Sequence, residues 1–442
     1  MRPHLLLTAW AFPPARTSGV HRAAGLARAF VAGGWDVTVL TAPRETFARQ
    51  ALIDESAAAG LATAVRIVEV PFASQAYDLD VSEWSWMRAR QPELWNGLRL
   101  TRERRSFPEP GFGLWRRELE RAAENVHRER AVDLALGTAN PHVDFTPGHH
   151  LKQRFGVPTV MDFRDAWTVD VFSGNDRTDA SEAERKVERE LLLSADRVWF
   201  VNEPIRRWHA ERHPSVSERM RVVSNGFDLV DGRSPAVPYR RIDAEAGLTF
   251  GYVGTINFGQ FPAEALFAGW SLARSQDQLM ARSRLILRGH LGRTGVASPQ
   301  LQSLLDAASI DDVVYRGPVA KSDLADTYAQ FDALVLALAS GPGVTSGKVF
   351  EFAATGLPVV SVHDPDSAAT DIMRTSPAWE ASTSLEAQDI ADAFIRTARR
   401  AREQSPAERD ATIAWGAQWE RGAQLAEGVR ELTAFVNERK SK

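Results

Sequence analysis

The chain has 442 residues, 44% of them hydrophobic and 25% charged, the composition of a globular protein with room for two domains, or three small ones, at roughly 100–200 residues each. Lysine and arginine number 53 against 57 acids, a formal net charge of −4, which argues against affinity won by blanketing nucleic-acid phosphates. Cysteine is absent; this excludes disulfides, thiolate zinc sites, iron–sulfur clusters and cysteine nucleophiles, and fits a reducing cytosol.

In chain order, the run Leu5–Ala9 is too short for the apolar region of a signal peptide, and Pro13-Pro14 follows it. It reads as a buried first strand. A helix from Val20 to Ala32 and a strand over Asp36–Leu40 complete a βαβ unit. Further strands are expected at Val65–Val70, Leu134–Leu136, Pro158–Met161, Arg197–Val201 and Met220–Val223, with helices at Trp115–Arg130 and Ala180–Ser194. Between about 80 and 115 lies an insertion rich in tryptophan and arginine (Trp84, Trp86, Arg88, Arg90, Trp95, Arg99, Arg102, Arg104, Arg105, Trp115) without clear periodicity. Such a mixture suits a lipid surface, a glycan or a nucleic acid; it reads as an acceptor-binding or lid region at the cleft, or as an insertion packing its tryptophans on its own surface.

The polar, proline-bearing stretch Asp228–Ala244 reads as a linker. A second series follows: strands at Leu248–Val253, Arg284–Leu287, Val313–Tyr315, Ala333–Ala337 and Pro358–Val362, with helices near Pro262–Ala273, Gln300–Ala308, Asp323–Gln330, Gly347–Thr355 and Ala368–Met373. A helical tail carries Trp415 and Trp419. The expected fold class is α/β, two Rossmann-like domains facing each other across a cleft. The expected divisions are an N-terminal domain over 1–235, a C-terminal domain over 245–405 and a tail over 406–442, its helix crossing back to the N-domain. No run of about 18 apolar residues occurs, so no span is expected. The protein is expected in the cytoplasm, with at most one-sided contact with a membrane.

The strongest chemical signal is Gly341-Pro342-Gly343-Val344-Thr345-Ser346-Gly347-Lys348-Val349-Phe350-Glu351. A strand runs into a loop with three glycines, and Ser346 is a good N-cap for a helix from Gly347. Free backbone N–H groups and the positive end of the helix dipole there suit a diphosphate. Lys348 sits in the first turn, where the dipole disfavours a cation unless an anion is bound. Only six lysines occur, the other cations being arginine, a bias attributed to GC-rich bacterial coding, so Lys348 stands out. Glu351, one turn on, is in reach of hydroxyls such as those of a ribose. A glycine-rich turn with a capping serine and an exposed Lys–Glu pair is the plain alternative. The order is not that of a Walker A loop, because Val349 follows Lys348.

This string resembles the nucleotide-sugar signature of GT-B glycosyltransferases, specifically the retaining glycosyltransferase family 4. Phe12-Pro13-Pro14 with Ser18-Gly19 and Arg22, Asp162-Phe163-Arg164-Asp165-Ala166-Trp167, Ala195-Asp196-Arg197-Val198, Ser224-Asn225-Gly226-Phe227-Asp228 and Gly251-Tyr252-Val253-Gly254-Thr255 are similar in the same order. The resemblance implies transfer of a sugar, with retention of configuration, from a nucleoside-diphosphate sugar to a hydroxyl acceptor: a glycan, a lipid-linked sugar or a small molecule, in polysaccharide or natural-product glycosylation. No cofactor, no metal and no nucleic-acid partner is implied. The donor would be held by Gly254, Thr255, Arg288, Gly343, Ser346, Gly347, Lys348 and Glu351. The acceptor side would be Ser18, Gly19 and Arg22, and Arg164, Asp165 and Lys348 would serve the chemistry.

Two departures bear on that expectation. Family members often carry a second glutamate eight positions before the one matched by Glu351, and here that position is Gly343. Many also carry Arg and Lys after the glycine matched by Gly254, whereas this chain reads Thr255-Ile256-Asn257-Phe258-Gly259-Gln260. Phosphate charge then falls to Lys348, Arg288 and backbone N–H groups. A GT-B-like epimerase or phosphorylase, or a non-catalytic sugar-nucleotide-binding partner subunit, are the alternatives. Asp162 is read as bracing its loop, Arg164–Asp165 equally as a structural pair, and His142, His149 and His150 as surface or loop residues.

Overall fold

A computed structural model of the chain describes every residue except 1, 18, 50–51, 56–60, 62, 74–79, 231, 257–260, 293–296, 339–340, 344 and 442, together with the side chains of 83 and 321. Two units divide the chain. The first comprises Met1–Asp170, Asn175–Asn225 and Gln424–Lys442, the second Val171–Gly174 and Gly226–Ala423.

The apolar runs of the first unit form seven strands: β1 (His4–Thr8), β2 (Asp36–Thr41), β3 (Arg66–Glu69), β4 (Leu134–Ala139), β5 (Thr159–Phe163), β6 (Arg197–Phe200) and β7 (Met220–Val222). Their order is β3-β2-β1-β4-β5-β6-β7, and every pairing is parallel. The central strands are buried on both faces, which is why they read as continuous apolar runs rather than alternating ones. The order reverses between β1 and β4, the position where open α/β sheets bind ligands. After β1 the helix Val20–Ala32 buries Val20, Ala23, Ala24, Leu26, Ala27 and Phe30, the one-faced spacing of an amphipathic helix. It ends at Gly33-Gly34, where Gly34 takes the left-handed φ of 83° that glycine tolerates.

The second unit has six strands: β8 (Thr249–Val253), β9 (Arg284–Arg288), β10 (Val313–Tyr315), β11 (Ala333–Ala337), β12 (Val359–Val362) and β13 (Trp379–Ala381). The order is β10-β9-β8-β11-β12-β13, again parallel throughout, with its reversal between β8 and β11. The helices Ala263–Gln276 and Ala387–Glu403 meet where Gly269 lies against Ile390, over a core that includes Phe250, Trp270 and Phe394. Elsewhere in this unit the helix Gly347–Thr355 packs on Pro406–Ala417, Gly416 touching the Ala353 backbone.

The α/β class with two Rossmann-like units is therefore the observed one, but the divisions differ from those expected. The units part at Asn225–Gly226, not in the stretch read as a linker. That stretch is packed: Val237 is buried, its N–H donates to Thr355 O (2.8 Å), and Arg409 donates to its carbonyl (3.1 Å). The tail also splits. Pro406–Ala417 stays with the second unit, while most of the last helix, Arg421–Ser441, belongs to the first and buries Leu425, Val429, Leu432 and Val436 in its core. The insertion near 80–115 contains the helices Trp86–Arg90 and Pro92–Ser106. His142 is not at the surface: it is buried, stacked on Trp167 with ring centroids 4.7 Å apart, and bonded to Glu109 (3.1 Å).

Candidate functional site

In the first unit a pocket of about 220 Å³ lies at the reversal of the sheet. The loop after β1 contributes Ala9, Trp10 and Ala11, the start of the next helix Thr17, Gly19 and Ala23. Thr138, Asn140 and Pro141 come from the end of β4 and beyond, Arg164 from the end of β5, and Phe112 closes the remaining side. One wall is aromatic. Trp10 meets Phe47, Phe72 and Phe112 edge-on with centroids 5.0, 6.2 and 5.5 Å away. The opposite wall is polar.

Gly19 and Arg164 line the pocket side by side, the guanidinium packed where a side chain on Gly19 would be crowded. A Cβ built on Gly19 would stand 3.1 Å from Arg164 Cζ. Arg164 is held by Asp165 (2.7 Å) and donates to Ala139 O (3.3 Å) and Asn140 O (3.4 Å). Of the residues expected on this side, Arg164 and Gly19 are thus brought together, and Asp165 is the half-exposed partner of Arg164. Ser18 lies outside the described residues. Arg22 does not face the pocket. It is 1% exposed and makes a two-pronged pair with fully buried Asp162 (Nε–Oδ2 3.0 Å, Nη2–Oδ1 2.6 Å), which also accepts from Thr138 Oγ1 (2.7 Å); Arg22 Nη1 donates to Ser224 O (3.0 Å). The Thr138 and Arg164 ends of β4 and β5 are therefore braced from below by a buried pair, and Arg22 is a support.

Asp144 is a buried acid behind the Trp10 loop. Its Oδ2 accepts from Trp10 N (2.8 Å), while Oδ1 is buried without a hydrogen-bond partner among the described residues. Burial pushes its carboxyl well above the usual range, and nearby Glu109 adds to the shift; the Trp10 N–H and Arg164 oppose it. Trp10, Phe112, Asn140 and Asp144 were not singled out from the sequence. The signal that could have found Asn140-Pro141 is position, directly after a strand in the sheet's centre.

In the second unit, β9, β8 and β11 are neighbours, so Arg288, Gly254-Thr255 and the loop before Gly347 follow adjacent strand ends. Ser346 caps the helix, its Oγ accepting from Lys348 N (3.3 Å). Among the described residues nothing lies within 4 Å of a Cβ built on Gly347, so a side chain has room at the first helical position. Lys348 Nζ is bonded to Glu351 Oε2 (2.6 Å), and the same oxygen accepts from Tyr328 Oη (2.8 Å). Tyr328, buried and with its hydroxyl pushed well above its ordinary pKa by burial and by the Glu351 charge, fixes the glutamate. No sequence signal marked it.

Other expected donor groups are otherwise engaged. The Gly254 N–H donates to Arg288 O (2.9 Å), and Gly289, at φ 144°, presses on the Gly254 carbonyl so closely that no Cβ fits. Thr255 offers its carbonyl to Tyr252 Oη (3.0 Å). Arg288 donates to Pro318 O (3.2 Å). Gly343 is turned toward the segment Val171–Gly174: its N–H donates to Val171 O (2.9 Å), and a Cβ would meet Val171 Cα at 3.0 Å. Gly343, the position where a second glutamate was expected from the resemblance, is where that segment packs. The residues after Ile256 that were expected to lack cations, 257–260, lie outside the described residues.

Two parallel, doubly wound units, each with a reversal of strand order, define the class: this is the α/β build of GT-B glycosyltransferases. Residues 18–226 match the family described as Glycosyl transferase 4-like domain. Solved structures of the same build include a glycosyltransferase from Rickettsia africae (10% identity, TM-score 0.63, covering 99% of this chain and 98% of that one). The lipopolysaccharide outer core galactosyltransferase WaaB is similar at 13% identity and TM-score 0.61 (98% and 99% covered). Anabaena HepE, in complex with UDP-glucose, is similar at 13% identity and TM-score 0.57 (98% and 99% covered). At such identities the likeness concerns the fold. No curated protein sequence matches the chain.

Proposed function

We propose that the protein is a glycosyltransferase that takes a sugar from a nucleoside-diphosphate sugar and passes it, with retention, to a hydroxyl acceptor held in the N-terminal pocket. The observation that carries this reading is the Lys348–Glu351–Tyr328 group in the first turns of the helix Gly347–Thr355, at the second sheet's reversal. It offers one cation beside the positive end of a helix dipole for an anion, and one oriented carboxylate for hydroxyls, the two recognition problems of a nucleoside diphosphate. That HepE is seen with UDP-glucose supports the same donor class.

In the ligand-free protein Lys348 and Glu351 satisfy each other. A bound donor replaces that pair, its phosphates taking Lys348 and its ribose hydroxyls taking Glu351, while Tyr328 keeps the carboxylate in place. The bond from the sugar's anomeric carbon to the diphosphate then breaks, and the acceptor oxygen forms the new bond. The proton released by the acceptor balances the charge gained by the diphosphate. The helix dipole and Lys348 stabilise that charge where it develops, and the reading requires no metal.

Calorimetric titration with a panel of nucleoside diphosphates tests it. Lys348→Ala and Glu351→Ala should each weaken binding about tenfold to a hundredfold, the range of a charge-assisted hydrogen bond. Tyr328→Phe should weaken it about threefold to tenfold. Unchanged affinity in all three variants sinks the donor-site assignment. Measurable binding without nucleotide release from any donor, in the presence of acceptor extracts, instead favours a partner subunit.

A further inference from the structure

The helix Pro92–Ser106 has its polarity reversed. Its inward side carries Trp95, Arg99 and Glu103; Glu103 is 2% exposed and accepts from Arg99 Nε (2.9 Å) and Gly111 N (2.9 Å). Buried Arg88, from the preceding helix, lies 4.0 Å over the Trp84 ring and 4.9 Å over Trp95. The outward side carries leucines: Leu94 is 53% and Leu98 51% exposed. At 100° per residue Leu94, Leu98 and Arg105 fall on one stripe, with Arg102 and Arg104 flanking it, and all three arginines are exposed. Trp86, on the preceding short helix, is 74% exposed. A helix that only had to pack on its own unit would turn these leucines in and these charges out.

We infer that this face is a docking surface for an anionic lipid bilayer. Exposed leucines and Trp86 match the boundary between headgroups and acyl chains, and Arg102, Arg104 and Arg105 match lipid phosphates. Charge complementarity selects an anionic occupant, and the aliphatic stripe of Leu94 and Leu98 selects lipid over nucleic acid, which would call for a row of free rings, whereas Trp84 and Trp95 are covered by Arg88. Among the described residues no helix is long and apolar enough to cross a membrane, so the contact is peripheral. The inference is independent of the donor-site reading.

The test is flotation of the full chain with vesicles of phosphatidylcholine alone or mixed with phosphatidylglycerol. The protein should float with the mixed vesicles and come off as salt is raised. Substituting Arg102→Gln, Arg104→Gln and Arg105→Gln together should lower partitioning on the order of a hundredfold. Leu94→Gln with Leu98→Gln should lower it about tenfold. Because all five side chains are exposed, both variants should keep the wild-type melting temperature and nucleotide affinity. Failure to float with mixed vesicles at low salt overturns the proposal, as does flotation that survives both sets of substitutions. Sedimentation velocity showing a dimer that the leucine substitutions dissolve, without vesicle binding, overturns it in favour of a second copy as the occupant.

Discussion

Arg22 is a charge placed where water cannot reach it, tolerable only because Asp162 meets it with both carboxylate oxygens and Ser224 O takes a further N–H. Removing one partner leaves the other buried and uncompensated. Arg22→Ala should therefore destabilise the protein by about 3–5 kcal/mol, measured by urea denaturation. Arg22→Lys should recover little, since an ammonium cannot reproduce the two-pronged geometry. A second buried acid sets a pH dependence. Burial alone would raise the Glu188 carboxyl, but hydrogen bonds from His209 (3.4 Å) and from Thr168, and the His209 charge, outweigh it and hold it below the usual range. A depressed folded value adds stability above the unfolded carboxylate pKa, about 4.3, and that stability is lost as pH falls through the folded value. Melting temperatures should drop steeply below about pH 4, and Glu188→Gln should flatten that drop while lowering stability at neutral pH.

Among the elements, glycines with opposite surroundings separate packing from ligand contact. Gly269 lies where the helices Ala263–Gln276 and Ala387–Glu403 touch, and a Cβ would run into Ile390. Gly269→Ala should cost about 1–3 kcal/mol by overpacking. Gly347 faces no other described residue within 4 Å of a built Cβ, so Gly347→Ala should leave the melting temperature unchanged. Because it narrows the approach to the helix N-terminus, it should still weaken nucleoside-diphosphate binding, checked by the same calorimetry. Most elements were legible from their periodicity. Val20–Ala32 has the predicted bounds because its apolar face is regular and Gly33-Gly34 stops it. β13 was missed because a three-residue edge strand has too little pattern to read. The helix Ala387–Glu403 carried a readable face (Ile390, Ala391, Phe394, Thr397, Ala398, Ala401), overlooked because alanine and arginine dilute it.

For the whole molecule, the last helix completes the first unit. Leu425, Val429, Leu432 and Val436 are buried beside Phe30 and Trp35, Trp35 Nε1 donates to Thr433 Oγ1 (2.9 Å), and Arg221 pairs with Glu427 and Glu431. Four such side chains contribute about 1.5–3 kcal/mol each, comparable together with the 5–15 kcal/mol that holds a typical domain folded. Deleting residues 424–442 should leave the first unit unable to hold its fold, seen as rapid proteolysis within 1–225. A fragment beginning at 245 and ending at 405 would likewise fail, lacking Phe227, Val237, Trp415 and Trp419 from the second unit's packing.

The opening numbers, two domains' worth of chain with balanced charge and no cysteine, and the alternation of short apolar runs with helical segments, already determined the α/β class. Parallel strands buried on both faces impose their pattern on every residue they contain. The Ser346–Glu351 string was equally legible, because capping and the helix dipole act within one turn. What surrounds that string was decided only by tertiary structure. Tyr328 reaches Glu351 from 23 positions away in the chain, Val171 closes the space at Gly343, and Asp162 claims Arg22 from 140 positions away. Partners so distant in sequence leave no local pattern; they become neighbours only when the sheets order their strands.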